Sequence, residues 1–262
     1  MKLSISNIAW SSEYDYEMYR FLQTEGIYGL EIAPTRIFPI EPYKDIVQAI
    51  SFSNELKLDY GISISSMQSI WYGIKENLFN SIEERNFLLD YTKKAIDFAK
   101  SIDSKNLVFG CPQNRNMSEK MELTDIINWF SEVGRYALEN NTVFALEPNP
   151  SIYGTNFINS TIEAFEMVKR VNCHGFKVNL DVGTMVFNNE DLSEIEPNVE
   201  LINHIHISEP GLALIEKHRI HKELRDILKR QKYNGYISAE MKCQENIDDV
   251  KSTLLYLKEV FE

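Results

Sequence analysis

Residues 176–208, FKVNLDVGTMVFNNEDLSEIEPNVELINHIHIS, hold two short runs rich in β-branched and aliphatic residues, Phe176–Asp181 and Ile202–Ser208, each ending in polar residues. The longer segment between them gives the order of a strand, a covering segment and a second strand. The same order continues in both directions. Six further strands are predicted at Leu3–Ala9, Ile27–Ala33, Asp59–Ser65, Asn106–Gly110, Val143–Glu147 and Tyr236–Glu240. Between strands, Leu88, Tyr91, Ala95, Ala99 and Ile102 form one stripe at helical spacing, and Ile126, Trp129, Phe130, Val133 and Ala137 form another. Ser81 with Glu84, and Ser160 with Glu163, have the capping-box form that opens a helix. Gly26, Gly61, Gly175 and Gly235 precede or begin strands, where a helix end has to turn back.

Eight β/α units in 262 residues, without a Gly/Ser/Pro linker or low-complexity tract, match the size of a (β/α)8 TIM barrel. The expectation is a single α/β domain over residues 1–262. A doubly wound open sheet is the alternative, and it would carry a Gly-rich phosphate loop after an early strand. Neither GxGxxG nor GxxxxGK[ST] is present. The loop after the third strand, from Met67 to Ile82, is long enough to act as a lid.

With 44% hydrophobic and 25% charged residues the chain is globular rather than disordered. Its net charge of -12 repels phosphate backbones and anionic membranes, so neither nucleic acid nor a membrane is an expected partner. No apolar run approaches the roughly 18 residues of a membrane span, and the start MKLSISNIAW lacks the pattern of a signal peptide. Cys111, Cys173 and Cys243 are odd in number and contain no CxxC, which fits a reducing, cytoplasmic setting.

In such a barrel the residues at strand C-termini face the active-site mouth. Four consecutive predicted strands end in metal-ligand types: Glu147 in FALEPNP, Asp181 in VNLDVGTM, His206 in INHIHISEP and Glu240 in ISAEMK. Each acid taken alone reads equally well as a cap for the following helix. Three unpaired acids converging at neighbouring strand ends would repel one another, and a cation resolves the repulsion. Three carboxylates with one imidazole favour one divalent ion, Mn²⁺, Mg²⁺ or Co²⁺, over structural zinc, with Zn²⁺ still allowed. His204 shares a strand face with His206 at a different depth and is assigned a supporting or core role. His174, His218 and His221 read as surface or loop-packing groups.

These residues resemble the xylose isomerase-like TIM barrels, a group of sugar isomerases and epimerases, ketose 3-epimerases and apurinic endonucleases. The carriers are Glu147-Pro148, Asp181 with Gly183, the His-x-His-x-Ser-Glu form from His204 to Glu209, and Glu240 on the last strand. The resemblance implies that Glu147, Asp181, His206 and Glu240 hold one divalent ion, and that the two glutamates exchange a proton with substrate carbon. The chain departs from the group at Thr184, where many members have His, and at Tyr153 and Leu212, where the ketose 3-epimerases have Glu and Arg. The third and fourth strand ends, SSMQS and FGCPQNR, lack the histidines of the endonucleases, which leaves a three-metal nuclease site incomplete.

The expected activity is therefore a divalent-metal-dependent sugar isomerase or epimerase working through a metal-stabilised enediolate, with Glu147 and Glu240 as base and acid. The alternatives are a metal-dependent keto-acid dehydratase and a non-catalytic sugar-binding barrel. Substrate contacts are expected from Gln68, Trp71, Arg115, Tyr153, His204 and Glu209. Arg115 would clamp an anionic or polyhydroxy group, or else sit in a loop salt bridge, and Trp71 would offer a sugar-stacking face or close the lid over the core. Glu31 reads as a substrate contact or a hydrogen bond across the barrel mouth. The expected partner is a small-molecule sugar or sugar derivative; the oligomeric state stays open, a homo-oligomer included.

Overall fold

The computed structural model describes residues 1–117 and 123–262. Eight parallel strands close on themselves in chain order. They are β1 (Lys2–Ser6), β2 (Gly29–Ile32), β3 (Ser63–Met67), β4 (Leu107–Phe109), β5 (Phe144–Leu146), β6 (Phe176–Asp181), β7 (Ile202–Ile207) and β8 (Tyr236–Ala239). Pairing of β1 with β8, Lys2 opposite Tyr236 through Ile5 opposite Ala239, seals the barrel. The helices are α1 (Asp15–Glu25), α2 (Pro34–Ile37), α3 (Ile46–Tyr60), α4 (Ile82–Ser101), α5 (Leu123–Glu139), α6 (Thr161–Val171), α7 (Val182–Asn188), α8 (Arg219–Arg230) and α9 (Ile247–Phe261). This is a (β/α)8 TIM barrel.

Local signals account for most boundaries. Ser160 and Glu163 form a complete reciprocal capping box at α6. At α4 only half of that motif forms: Ser81 accepts from the Glu84 N–H, while the Glu84 carboxylate accepts from the Asn77 N–H at 2.6 Å. The third strand starts four residues later than its sequence suggests, because α3 continues to Tyr60. Gly61 then turns left-handed at φ 73°, and the Ile62 N–H reaches back to the Leu56 carbonyl at 3.0 Å, a glycine-ended helix C-terminus. The first strand is shorter than expected, ending at Ser6 before a 3-10 turn over Asn7–Ala9. Gly175 has a packing role. A Cβ there would lie 1.9 Å from the Gly134 carbonyl oxygen, so α5 lies directly on the lead into β6.

Aliphatic and aromatic residues of the strands pack outward against the helices. Phe130 of α5 stacks on Phe176 at 4.6 Å between ring centroids, and Phe109 stacks on Phe144 at 5.1 Å. The barrel lumen holds polar pairs: Ser4 bonds Ser65 at 2.6 Å, Gln68 donates to Ser6 at 2.7 Å, and Asn106 donates to Ser66 at 2.9 Å. Two register shifts interrupt the ladder, between Leu30 and Glu31 and between Val178 and Asn179. Both lie beside side chains that serve the site, as bulges that re-aim a residue do.

Candidate active site

The four strand-end residues come together at the mouth of this polar lumen. Glu147, Asp181, His206 and Glu240 are all buried, and each offers a donor atom within 4.8 Å of the others. Register accounts for the convergence: Asp181 sits opposite His206, and His206 opposite Ser238, two residues before Glu240. Glu147 and Glu240 lie one residue beyond their strands, yet their N–H groups still bond the neighbouring strand at Phe109 (3.1 Å) and Ile207 (2.9 Å). Their carboxylates therefore leave a rigid backbone.

Each donor is oriented by groups around it. Glu147 Oε1 accepts from the Asn179 amide at 2.8 Å and Oε2 from the Asn149 amide at 3.0 Å. Asp181 caps α7, accepting the Thr184 N–H at 2.8 Å, with the Thr184 hydroxyl 2.6 Å from the same oxygen. Its other oxygen accepts from Ser208. Thr184 thus braces Asp181. Helix capping and participation in the cluster are not alternatives for Asp181, which does both. His206 Nε2 lies 2.9 Å from Glu31 Oε2, and His204 Nε2 lies 3.3 Å from the same oxygen. Glu31 is thus the hydrogen bond across the barrel mouth; with its partner on Nε2, the other ring nitrogen of His206 faces the acids.

The electrostatics favour a cation. His206 Nδ1 is 2.8 Å from Glu147 Oε1 and 3.2 Å from Glu240 Oε2, and among the described residues this buried nitrogen has no hydrogen-bond partner. Burial acts to lower the His206 pKa, but the charges of Glu240 and Glu31 outweigh it and hold it well above the usual range. Burial, with the Glu147 charge adding, pushes Asp181 up to about 6. Burial also pushes Glu240 up to about 7, against the pull of His206. For Glu31 burial acts upward too, but His206 and His204 outweigh it and keep the carboxyl well below its ordinary range. A buried imidazole nitrogen without a hydrogen bond, aimed into three carboxylates that repel one another, fits a divalent ion.

The cluster opens into a cavity of about 600 Å³ whose wall includes Glu147, Asp181, Glu240, Asn149, Tyr153 and Gln68. Gln68 is held by Ser6 and by the Ser69 hydroxyl, and the Tyr153 hydroxyl accepts the Gly211 N–H at 2.9 Å. Trp71 touches the cavity but is 1% exposed, its indole N–H on Thr92 and its ring against Phe109 at 4.8 Å, so it packs its loop onto the core and offers no open stacking face. Three expected substrate contacts lie off the wall. Arg115 is fully buried and donates to Asn149; it is not on the cavity wall, and among the described residues it forms no loop salt bridge. His204 sits deeper in the lumen on Glu31. Glu209 turns away, accepting the Glu216 N–H at 3.0 Å and lying 2.9 Å from His218. His221 is buried and not on the surface, with Nδ1 2.9 Å from the Tyr256 hydroxyl. Asn149 and Asn179 were not singled out from sequence, though Asn149 stands two residues after Glu147 in EPNP; Ser208 is the Ser of the His-x-His-x-Ser-Glu form.

A closed barrel with a buried carboxylate and imidazole cluster at the C-terminal strand ends defines a class of barrel proteins with an active-site-like mouth. The sequence profile of the xylose isomerase-like TIM barrel family matches residues 20–260, and the chain belongs to that family. No curated protein matches the chain by sequence. Among solved structures it is similar to 3-keto-D-glucoside 4-epimerase from E. coli, at 20% identity and TM-score 0.76 over 99% of both chains. It is also similar to D-psicose 3-epimerase with D-tagatose from Clostridium cellulolyticum H10, at 17% identity and TM-score 0.79 over 100% of both. A third is an AP endonuclease, family 2, from Brucella melitensis, at 19% identity and TM-score 0.74 over 98% of both. At these identities the likeness is one of fold. Among the described residues, no helix is long and apolar enough to cross a membrane.

Proposed function

We propose that this protein is a divalent-metal-dependent sugar isomerase or epimerase. The observation that carries the reading is the pair of glutamates, Glu147 and Glu240, flanking His206 Nδ1 at 2.8 and 3.2 Å and both opening onto one cavity. Glu147, Asp181, His206 and Glu240 would hold Mn²⁺, Mg²⁺ or Co²⁺. Bound there, such an ion supplies Lewis-acid polarisation to neighbouring carbonyl and hydroxyl oxygens. One glutamate takes the proton from a carbon next to the carbonyl, leaving an enediolate, and the other returns a proton. Return to the opposite face of the same carbon epimerises it, and return to the neighbouring carbon, with the hydroxyl proton passing to the former carbonyl oxygen, moves the carbonyl. Asn149 and Asn179 keep Glu147 in a single orientation for this transfer.

The cavity lining favours an uncharged substrate. Three carboxylates form its floor, amides and hydroxyls contribute to its wall, and among the described residues no Lys or Arg lines it. A keto acid or sugar phosphate would meet like charge there, which sets the neutral sugar ahead of the keto-acid dehydratase reading. The names of the E. coli and Clostridium neighbours, both sugar epimerases, agree with this. The test is solvent-deuterium incorporation by Mn²⁺-loaded protein across a panel of ketoses, aldoses and keto acids. Exchange into a neutral sugar is expected, lost in Glu147→Gln and Glu240→Gln. Wild-type exchange rates in both variants would overturn the proton-transfer assignment.

A further inference from the structure

Arg115 is an expensive residue to bury. Its side chain is 0% exposed, and arginine is almost never so enclosed without a carboxylate on it. Here Nη2 donates to Asn149 Oδ1 at 2.7 Å and the guanidinium packs over the Phe109 ring at 5.6 Å, while Nε and Nη1 find no partner among the described residues. Asn149 connects this group to the cluster. Its amide nitrogen donates to Glu147 Oε2 at 3.0 Å and to the Pro148 carbonyl at 3.1 Å. A guanidinium has donors only, so it can hold only the oxygen end of the amide, which leaves the nitrogen end for the carboxylate. Thr155 ties the two loops further by donating to the Arg115 carbonyl at 3.0 Å.

We propose that Arg115 is a positioning residue, anchoring the Asn149 amide and through it the metal-facing carboxylate of Glu147. The inference rests on the reading of Glu147 as a metal ligand. It differs from the expectation that Arg115 grips substrate, and it predicts a sign that simple electrostatics does not. A cation buried near a cation site weakens metal binding through its field, so removing its charge should tighten binding if the field is all that matters. Removing an anchor frees Asn149 and lets the Glu147 carboxylate turn, which weakens binding.

The experiment is a calorimetric Mn²⁺ titration of the metal-stripped full chain, with far-UV circular dichroism to verify folding. Arg115→Met and Asn149→Leu should each weaken Mn²⁺ binding by about tenfold to a hundredfold, the usual cost of losing a group that orients a ligand. The double variant should bind no more weakly than the weaker single, because both changes cut one chain of contacts. Arg115→Lys, which keeps a donor on a long stem, should restore most of the affinity. An unchanged or tighter dissociation constant in folded Arg115→Met overturns the proposal. If that variant does not fold, wild-type affinity in Asn149→Leu overturns it equally. A wild-type protein that binds no Mn²⁺ would overturn the metal reading itself, and the proposed anchor with it.

Discussion

Replacing Glu240 by glutamine should make the metal-free protein more stable while weakening its hold on metal. The Glu240 carboxyl is buried, and with the charges of Glu147 and Glu31 nearby it titrates at about 7 in the fold against 4.5 ordinarily, even with His206 beside it. The folded chain therefore keeps this proton to higher pH than the unfolded chain does. Stability from this group is greatest below pH 4.5 and is lost as pH rises through 7. Once ionised, the carboxylate costs about 3 kcal/mol relative to the unfolded chain. Glutamine carries no charge and escapes that cost, which corresponds to a rise in melting temperature of roughly 5 to 10 °C at pH 8. Urea melts in EDTA at pH 5 and pH 8 read the effect. The variant should match wild type at pH 5 and exceed it at pH 8. Added Mn²⁺ should reverse the order, since wild type gains more from a ligand that binds only the native state. A variant no more stable than wild type at pH 8 in EDTA would refute the account of the cluster as a set of acids forced together.

Gly110→Ala would put a Cβ 2.6 Å from Glu147 Oε2, pushing that oxygen off its bond from the Asn149 amide. Stability should fall by about 1–3 kcal/mol, as for other overpacked buried sites, and Mn²⁺ affinity should drop with it; an unchanged affinity in the folded variant would show that this oxygen does not matter. Burial, with the neighbouring His218 adding, lowers the His221 pKa to about 4 from 6.5. Its contribution to stability is complete above pH 6.5 and is lost as pH falls through 4, about 3 kcal/mol in all, a slope that His221→Gln should flatten in urea melts. Despite the endonuclease fold neighbour, duplex DNA carrying an abasic site should be neither retained in a low-salt gel shift nor cleaved with Mn²⁺, given a net charge of -12. Strand cleavage would contradict the sugar-enzyme reading.

Much of the barrel was legible in the chain because its signals are local. Runs of β-branched and aliphatic residues, helical stripes such as Ile126 to Ala137, and caps such as Ser160 with Glu163 depend on neighbours a few residues apart. The errors at β1 and β3 were local too, matters of where a helix or turn takes over from a strand. Candidate metal-site residues were equally readable, because in a parallel barrel residues at or just beyond the strand C-termini line the mouth whatever their partners are.

Partner choice was not legible in the same way. Arg115, Glu209 and Trp71 sit in loops whose sequence suits contact with substrate, yet each side chain turns toward another loop, the lumen wall or the core. Glu31 meets His206 across 175 residues of chain, and Asn179 meets Glu147 across 32. Nothing in the spacing of these residues records those distances in space. The sequence by itself determined the alternation of strands and helices and the acids and imidazole at four strand ends. Closure of the barrel decided which oxygen faces which nitrogen, because that depends on strand register and on two bulges that only the completed ring of hydrogen bonds defines.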